Sequence, residues 1–333
     1  MASLIKRIII FLTISFELIA SDLSSYELGH GYKFNSLLTI GSYFSTEYEV
    51  AKDERSFTLD DIALLAYGEV MPNLTYLAEL EAVKFYKYDF KNGIDETNDA
   101  FHIERLYFNY RFSDNLVARI GKQITPIGYW NLEPINVLRD TSSNPYYSKY
   151  LFPKFLTGVD FSGYTSDSYQ TTYHLFAQKN EDLDETYINI PNEHFFGASL
   201  EHELNDEISF GGSIGQFKTN SQETFEYIQL NAKYDDTTFA LSSEFMLRNG
   251  GLDSQKDENT YGGYLQALYH YTPQHTFVSR YEHFYDKSVI NKDQLFLLGY
   301  SYRPIFPVSF KMEYQWHELK DQNKFLSSFS VLF

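Results

Sequence analysis

From Leu37 onward, apolar residues alternate with small or polar ones along almost the whole chain, the period of two that marks strands with unlike faces. The stretch "VSFKMEYQWHEL" shows it: Phe310, Met312, Tyr314 and Trp316 share one face, and Ser309, Lys311, Glu313, Gln315 and His317 the other. Sixteen strands are predicted, the first eight at 37–50, 57–70, 74–90, 101–112, 116–126, 157–166, 169–179 and 193–204. The rest fall at 208–219, 225–235, 238–248, 260–271, 275–287, 294–303, 308–319 and 323–333. Connections such as "MPN", "SDN", "SDS", "NDE", "DD", "TPQ" and "RPIFP" are short and take turns with mostly longer, charged ones, among them "KNGIDETNDA", "NEDLDETYINIPN" and "NGGLDSQKDEN".

Alternating faces suit a soluble sandwich as well as a membrane barrel; alternating connection lengths separate the two. Tight turns on one rim and long loops on the other belong to an up-and-down barrel, and an even strand count closes it with both chain ends on the turn side, in the periplasm. No stretch after the first twenty residues has the roughly 20 apolar residues of a membrane-crossing helix. Only helices and closed barrels satisfy their backbone polar groups in lipid. The predicted fold class is therefore all-β: a transmembrane antiparallel up-and-down β-barrel of about 16 strands, a single domain over residues 21–333.

Residues 1–20, "MASLIKRIIIFLTISFELIA", place Lys6 and Arg7 ahead of an apolar run and read as a secretory signal peptide. Its removal takes 27 basic and 45 acidic residues to 25 and 44, and the net charge from −18 to −19. So acidic a chain is no nucleic-acid partner. The chain has no cysteine, so an exported domain of this size is held by something other than disulfides, for which sheet closure suffices. The 29 Tyr and 29 Phe fit aromatic girdles at the two membrane interfaces.

One connection stands apart. Ile127–Phe155, "IGYWNLEPINVLRDTSSNPYYSKYLFPKF", has 29 residues, three prolines and no period. Loops this long are usually functional. It joins the fifth and sixth strands as the third external loop, and a sixteen-strand barrel leaves an aqueous lumen that such a loop can enter and narrow.

A signal peptide, sixteen alternating strands, a long third loop and a terminal phenylalanine resemble a Gram-negative outer-membrane porin. More narrowly, "RIGKQITPIGYWN" (Arg119–Asn131) resembles the stretch leading into the third loop of the phosphate-selective porin O/P family. The resemblance implies a homotrimer of water-filled barrels among outer-membrane lipid and lipopolysaccharide, with an eyelet formed by the third loop. It also implies an arginine filter and lysine ladders, whereas the acidic balance favours cations.

Strand phase assigns candidates for the lumen and constriction. Leu106, Phe108, Tyr110 and Phe112 face lipid, which leaves Arg105 and Arg111 inside; Arg119 and Gln123, and Glu79 and Glu81, also project inward. The loop adds Glu133, Arg139, Asp140, Lys149 and Lys154, which either set a transverse field or serve as salt-bridge latches to the wall.

Other signals point nowhere. "GGSIG" (Gly211–Gly215) matches a nucleophile elbow but keeps strand period with no helix after it. The nine histidines lack zinc spacing, and the acidic run Asn180–Glu185 reads as solvated loop. No catalytic residue, metal or cofactor is assigned. The expected function is passive diffusion of small hydrophilic solutes and ions with a weak cation preference. An anion- or phosphate-selective porin, and a closed barrel with an adhesive or structural role, are the alternatives.

Overall fold

The computed structural model describes residues 26–165, 170–184, 189–251, 259–286, 290–318 and 320–333. The signal segment and the whole of "SDS" lie outside the described residues, as do parts of "NEDLDETYINIPN" and "NGGLDSQKDEN".

Sixteen strands form the wall. They are β1 (Thr39–Ala51), β2 (Arg55–Met71), β3 (Leu74–Asp89), β4 (His102–Ser113), β5 (Leu116–Ile124), β6 (Phe155–Tyr164), β7 (Thr171–Gln178) and β8 (Asn192–Glu203). The second half comprises β9 (Ile208–Thr219), β10 (Thr224–Asp235), β11 (Phe239–Gly251), β12 (Thr260–Thr272), β13 (His275–Asp286), β14 (Ile290–Tyr302), β15 (Val308–His317) and β16 (Lys324–Leu332). Each pairs antiparallel with the next, and β16 pairs with β1 from Lys324↔Ala51 to Leu332↔Tyr43, which closes the barrel. Closure leaves no sheet edge, the condition for crossing lipid with strands.

Strand count and phase agree with the sequence expectation. On β15, Phe310, Met312, Tyr314 and Trp316 are exposed on the outer wall, whereas Ser309, Lys311, Glu313, Gln315 and His317 are buried on the inner face. Three short strands were not expected: a hairpin of Tyr26–Glu27 with Gly31–Lys33, whose second strand pairs with the start of β1, and Ile94–Thr97, which pairs with the end of β3.

Two further differences matter. Connections 52–54 and 220–223, on the long-loop rim, are as short as the turns opposite, so the strict alternation of lengths fails there. Register also slips at Phe44/Thr46, Leu59/Asp61 and Glu79/Leu80. Such bulges put two neighbours against one partner, so phase counting through them fails.

Candidate functional site

The link between β5 and β6, residues 125–154, lies on the inner face of the barrel. Its prolines and Gly128, whose φ of 66° suits glycine, cut it into 3₁₀ turns at Trp130–Leu132 and Asn136–Leu138 and one short helix, α1 (Tyr146–Tyr150). The sequence suggested no helical period here; each piece is too short to show one.

Apolar packing holds one flank. The inner positions Phe176, Phe195, Phe217, Tyr227, Met246, Tyr264 and Phe284, one on each strand from β7 to β13, form a single buried cluster with Ile127, Trp130, Tyr147, Leu151, Phe152 and Leu156. At the level of the loop, that side of the lumen is packed with side chains. On the opposite flank Ile135 and Val137 pack against Tyr43, Ala63 and Leu65 of β1 and β2.

Buried wall charges hold the rest, each bonded to loop groups, because a charge out of water needs partners. Glu244 on β11 accepts the Trp130 N–H at 2.8 Å and the Tyr147 hydroxyl at 2.6 Å, with the Tyr264 hydroxyl at 2.5 Å completing its shell. On β15, Glu313 accepts the N–H groups of Ser142 and Ser143 at 2.9 and 3.2 Å, and Lys311 donates to Asn136 Oδ1 at 2.6 Å. Arg280 on β13 is fully buried; it donates to Thr141 Oγ1 and Ser143 Oγ at 2.9 and 2.8 Å and pairs with Glu282, which accepts the Tyr146 N–H at 2.9 Å. Arg248 donates to the Tyr150 carbonyl at 2.9 Å and pairs with Asp286 at 3.0 Å.

The loop residues singled out from sequence are mostly latches. Asp140 pairs with Arg303, at the start of the turn after β14, and Arg139 is buried beside Asn144 with its guanidinium 5.4 Å from the Trp130 ring. Lys154 lies 3.7 Å from Glu104 on β4. Glu133 and Lys149 are solvent-accessible. Enclosure by the wall, reinforced by nearby Lys324, lowers the Lys149 pKa, and Glu282 and Glu47 oppose the shift.

The wall residues divide. Glu79 and Glu81 are on the inner face but only 1% and 4% exposed: Glu79 is paired with Arg105, and Glu81 accepts the Tyr43 hydroxyl at 3.0 Å. Arg105 is therefore neutralised where it stands. Arg119 donates to Asn109 Oδ1 at 2.7 Å and lies 4.4 Å from the Tyr107 ring; Arg111 is exposed beside the 114–115 turn. Both sit toward the short-turn end of β4 and β5, away from the end at which the loop departs. Gln123 is fully buried, and its amide has no hydrogen-bonding partner among the described residues. The sequence does not bring these basic residues into one filter.

What sequence reasoning missed is the acidic group around the loop's second flank. Glu104 shares the single Tyr43 hydroxyl proton with Glu81, its Oε2 lying 2.9 Å from the hydroxyl oxygen, and Asp61 accepts the Ser45 hydroxyl at 3.0 Å. Asp60 beside it and Glu47 on β1 are partly accessible. The adjacent pair Asp60–Asp61 interrupts the alternation, the one trace of the bulge in the sequence.

Two other expectations resolve. "GGSIG" lies within β9, and Ser213 donates to Gln229 Oε1 at 3.2 Å with no turn around it. The acidic run is not simply solvated: Asp182 is 5% exposed, accepting from Thr157 and Asn189 and lying 3.8 Å from Lys122, while Asp184 pairs with His102 at 3.1 Å.

Among solved structures, the chain resembles an anion-selective porin from Comamonas acidovorans with a TM-score of 0.63, 11% identity and coverage of 90% of this chain and 100% of that one. It also resembles OmpF of Salmonella typhi in complex with daunomycin, with a TM-score of 0.60, 11% identity and coverage of 89% and 97%. A trimer form of OmpT of Vibrio cholerae gives 0.57, 10% identity and coverage of 89% and 99%. At such identities the likeness concerns fold. No curated protein sequence matches the chain. Residues 71–328 match the family described as beta-barrel porin-2, OmpL-like. That match covers most of the barrel, and the chain accordingly belongs to this family of outer-membrane β-barrel porins of Gram-negative bacteria.

Proposed function

We infer that the chain forms a water-filled channel for passive diffusion of small hydrophilic solutes and ions, with the loop Ile127–Phe155 as its constriction and a weak preference for cations. The position of that loop inside a closed barrel, tied to both sides of the wall, carries the inference. Glu47, Asp60 and Asp61, all partly accessible, supply the acidic side, Lys149 is an accessible loop cation, and the pairing of Arg105 with Glu79 weakens the case for an anion filter. Both termini are assigned to the periplasm and residues 1–20 to a cleaved signal. A homotrimer is assigned on the strength of the trimeric OmpT and the family fold.

The test is the reversal potential of the reconstituted barrel across a potassium chloride gradient. A potential toward potassium supports cation preference; one toward chloride returns the assignment to an anion- or phosphate-selective channel. One observation favours a second function, a closed barrel with a structural or adhesive role: the loop is packed on both flanks, and Arg139, Glu81, Glu104 and Tyr43 at the crossing are all nearly buried. Well-folded barrels without steady conductance would overturn the channel and leave this reading standing.

A further inference from the structure

Three glutamates converge beside the loop's second flank: Glu79 and Glu81 on β3 and Glu104 on β4, gathered around the Tyr43 hydroxyl of β1, all four residues no more than 4% exposed. The hydroxyl oxygen lies 3.0 Å from Glu81 Oε1 and 2.9 Å from Glu104 Oε2, yet it has one proton to give. Glu81 and Glu104 are also in hydrogen-bond contact with each other. An ionised carboxylate only accepts, so a bond between two of them needs a proton that neither carries when both are charged. The third carboxylate shows the same shortage of donors. Glu79 Oε1, buried beside Glu104, has no hydrogen-bonding partner among the described residues.

The cations do not make up the difference. Arg105 pairs with Glu79, and Lys154 lies 3.7 Å from Glu104. Arg139 of the loop faces Asp61 on β2 and Glu133 ahead of Glu104. Lys122 on β5 is held by Asp182 and by the Leu183 and Asp184 carbonyls. Glu81 is left facing the carboxylates of Glu104, Asp61 and Glu79, and the cation nearest to hand, Lys154, stands beside Glu104. Two carboxylates in contact out of water repel too strongly for both to be charged. Lys154 fixes the negative charge on Glu104 and so the proton on Glu81.

We propose that Glu81 and Glu104 form a proton-binding site that holds one proton between them at neutral pH, carried on Glu81. Each remaining charge in the seat then has one partner: Glu79 has Arg105, Glu104 has Lys154, and Arg139 has Asp61. The proton lets the wall hold two loop cations without adding net charge at the constriction, which leaves selectivity to the accessible groups. The site belongs to the docking of the loop and is independent of whether the lumen conducts.

Infrared spectra of the folded barrel in detergent, wild type against Glu81→Gln, test it. Glutamine keeps the shape and the donor of a protonated glutamate, so the variant is expected to fold and to lose the carbonyl stretch of one protonated carboxyl that the wild type shows at neutral pH. Urea unfolding gives the second readout. Between the ordinary carboxylate range and the pH at which the pair releases its proton, the folded wild type binds one proton more than the unfolded chain. Its stability therefore falls as pH rises through that window, the unfolding constant gaining about tenfold per pH unit relative to Glu81→Gln. Should Glu81→Gln misfold, Glu104→Gln, which leaves the charge on Glu81, carries the same comparison. Spectra that do not differ, or stability profiles that run parallel, overturn the proposal. So does a wild-type stability that climbs with potassium chloride in the absence of the carbonyl band, which would put a monovalent cation in the place of the proton. Conductance measured on the same samples separates failure of this site from failure of the channel.

Discussion

Replacing Glu244 with alanine releases the loop from its most central anchor. The carboxylate is 1% exposed and accepts two loop donors, the Trp130 N–H at 2.8 Å and the Tyr147 hydroxyl at 2.6 Å. A hydrogen bond to a charged group contributes about 1.5–3 kcal/mol, so the pair contributes about 3 kcal/mol at the low end. That shifts the docked-to-undocked ratio of the loop roughly a hundredfold. The loop carries its own reporter. Of the two tryptophans, Trp130 is 9% exposed in the loop cluster and Trp316 is 42% exposed on the outer wall, so a Trp316→Phe background isolates Trp130. In that background Glu244→Ala is expected to red-shift the Trp130 emission, raise its quenching by acrylamide and open the loop to protease. Glu244→Gln, which keeps the volume and one acceptor, gives a smaller shift. Emission and protease resistance unchanged in Glu244→Ala would refute the claim that wall carboxylates hold the loop.

Three further substitutions probe the same structure. Gly128→Ala places a Cβ 1.7 Å from Glu244 Oε2 at a φ of 66°, so it should undock the loop as Glu244→Ala does, read by the same Trp130 emission. Arg105→Met leaves the buried Glu79 carboxylate without its cation and should destabilise the barrel by about 3–5 kcal/mol in urea unfolding, with much of that loss recovered by adding Glu79→Gln. Lys149→Met should raise cation selectivity at neutral pH. Because the Lys149 pKa is lowered, the ammonium is charged below it and discharges at less alkaline pH than an ordinary lysine, so wild-type cation selectivity should climb through that window while the variant stays flat. Parallel pH profiles in reversal-potential measurements would remove Lys149 from the eyelet.

The barrel was legible because lipid and water impose opposite demands on alternate residues; on β15 every side chain from Ser309 to His317 takes the face that its polarity assigns. The same logic placed Lys311, Glu313 and Arg105 on the inner face. It could not show their partners: Lys311 meets Asn136 and Glu313 meets Ser142 from 175 and 171 residues away. Inner aromatics such as Phe195 and Phe217 were hidden for a different reason. Phe195 has the outward-facing Phe196 as its neighbour, so two adjacent apolar residues blur the period where loop packing replaces water. Bulges hid Asp60, Asp61 and Glu104, since a register slip puts consecutive residues on one face. Arg111 and Arg119 had the right phase but the wrong height, and phase alone carries no height.

Conductance of the wild-type barrel in a planar bilayer, compared with a variant in which residues 129–150 are replaced by a short glycine–serine link, tests the channel with its loop constriction most directly. A steady open conductance in the wild type that rises severalfold in the variant is the expected result. A silent wild type beside a conducting variant would show that the loop is a plug, and equal conductance in the two would show that the loop does not set the constriction.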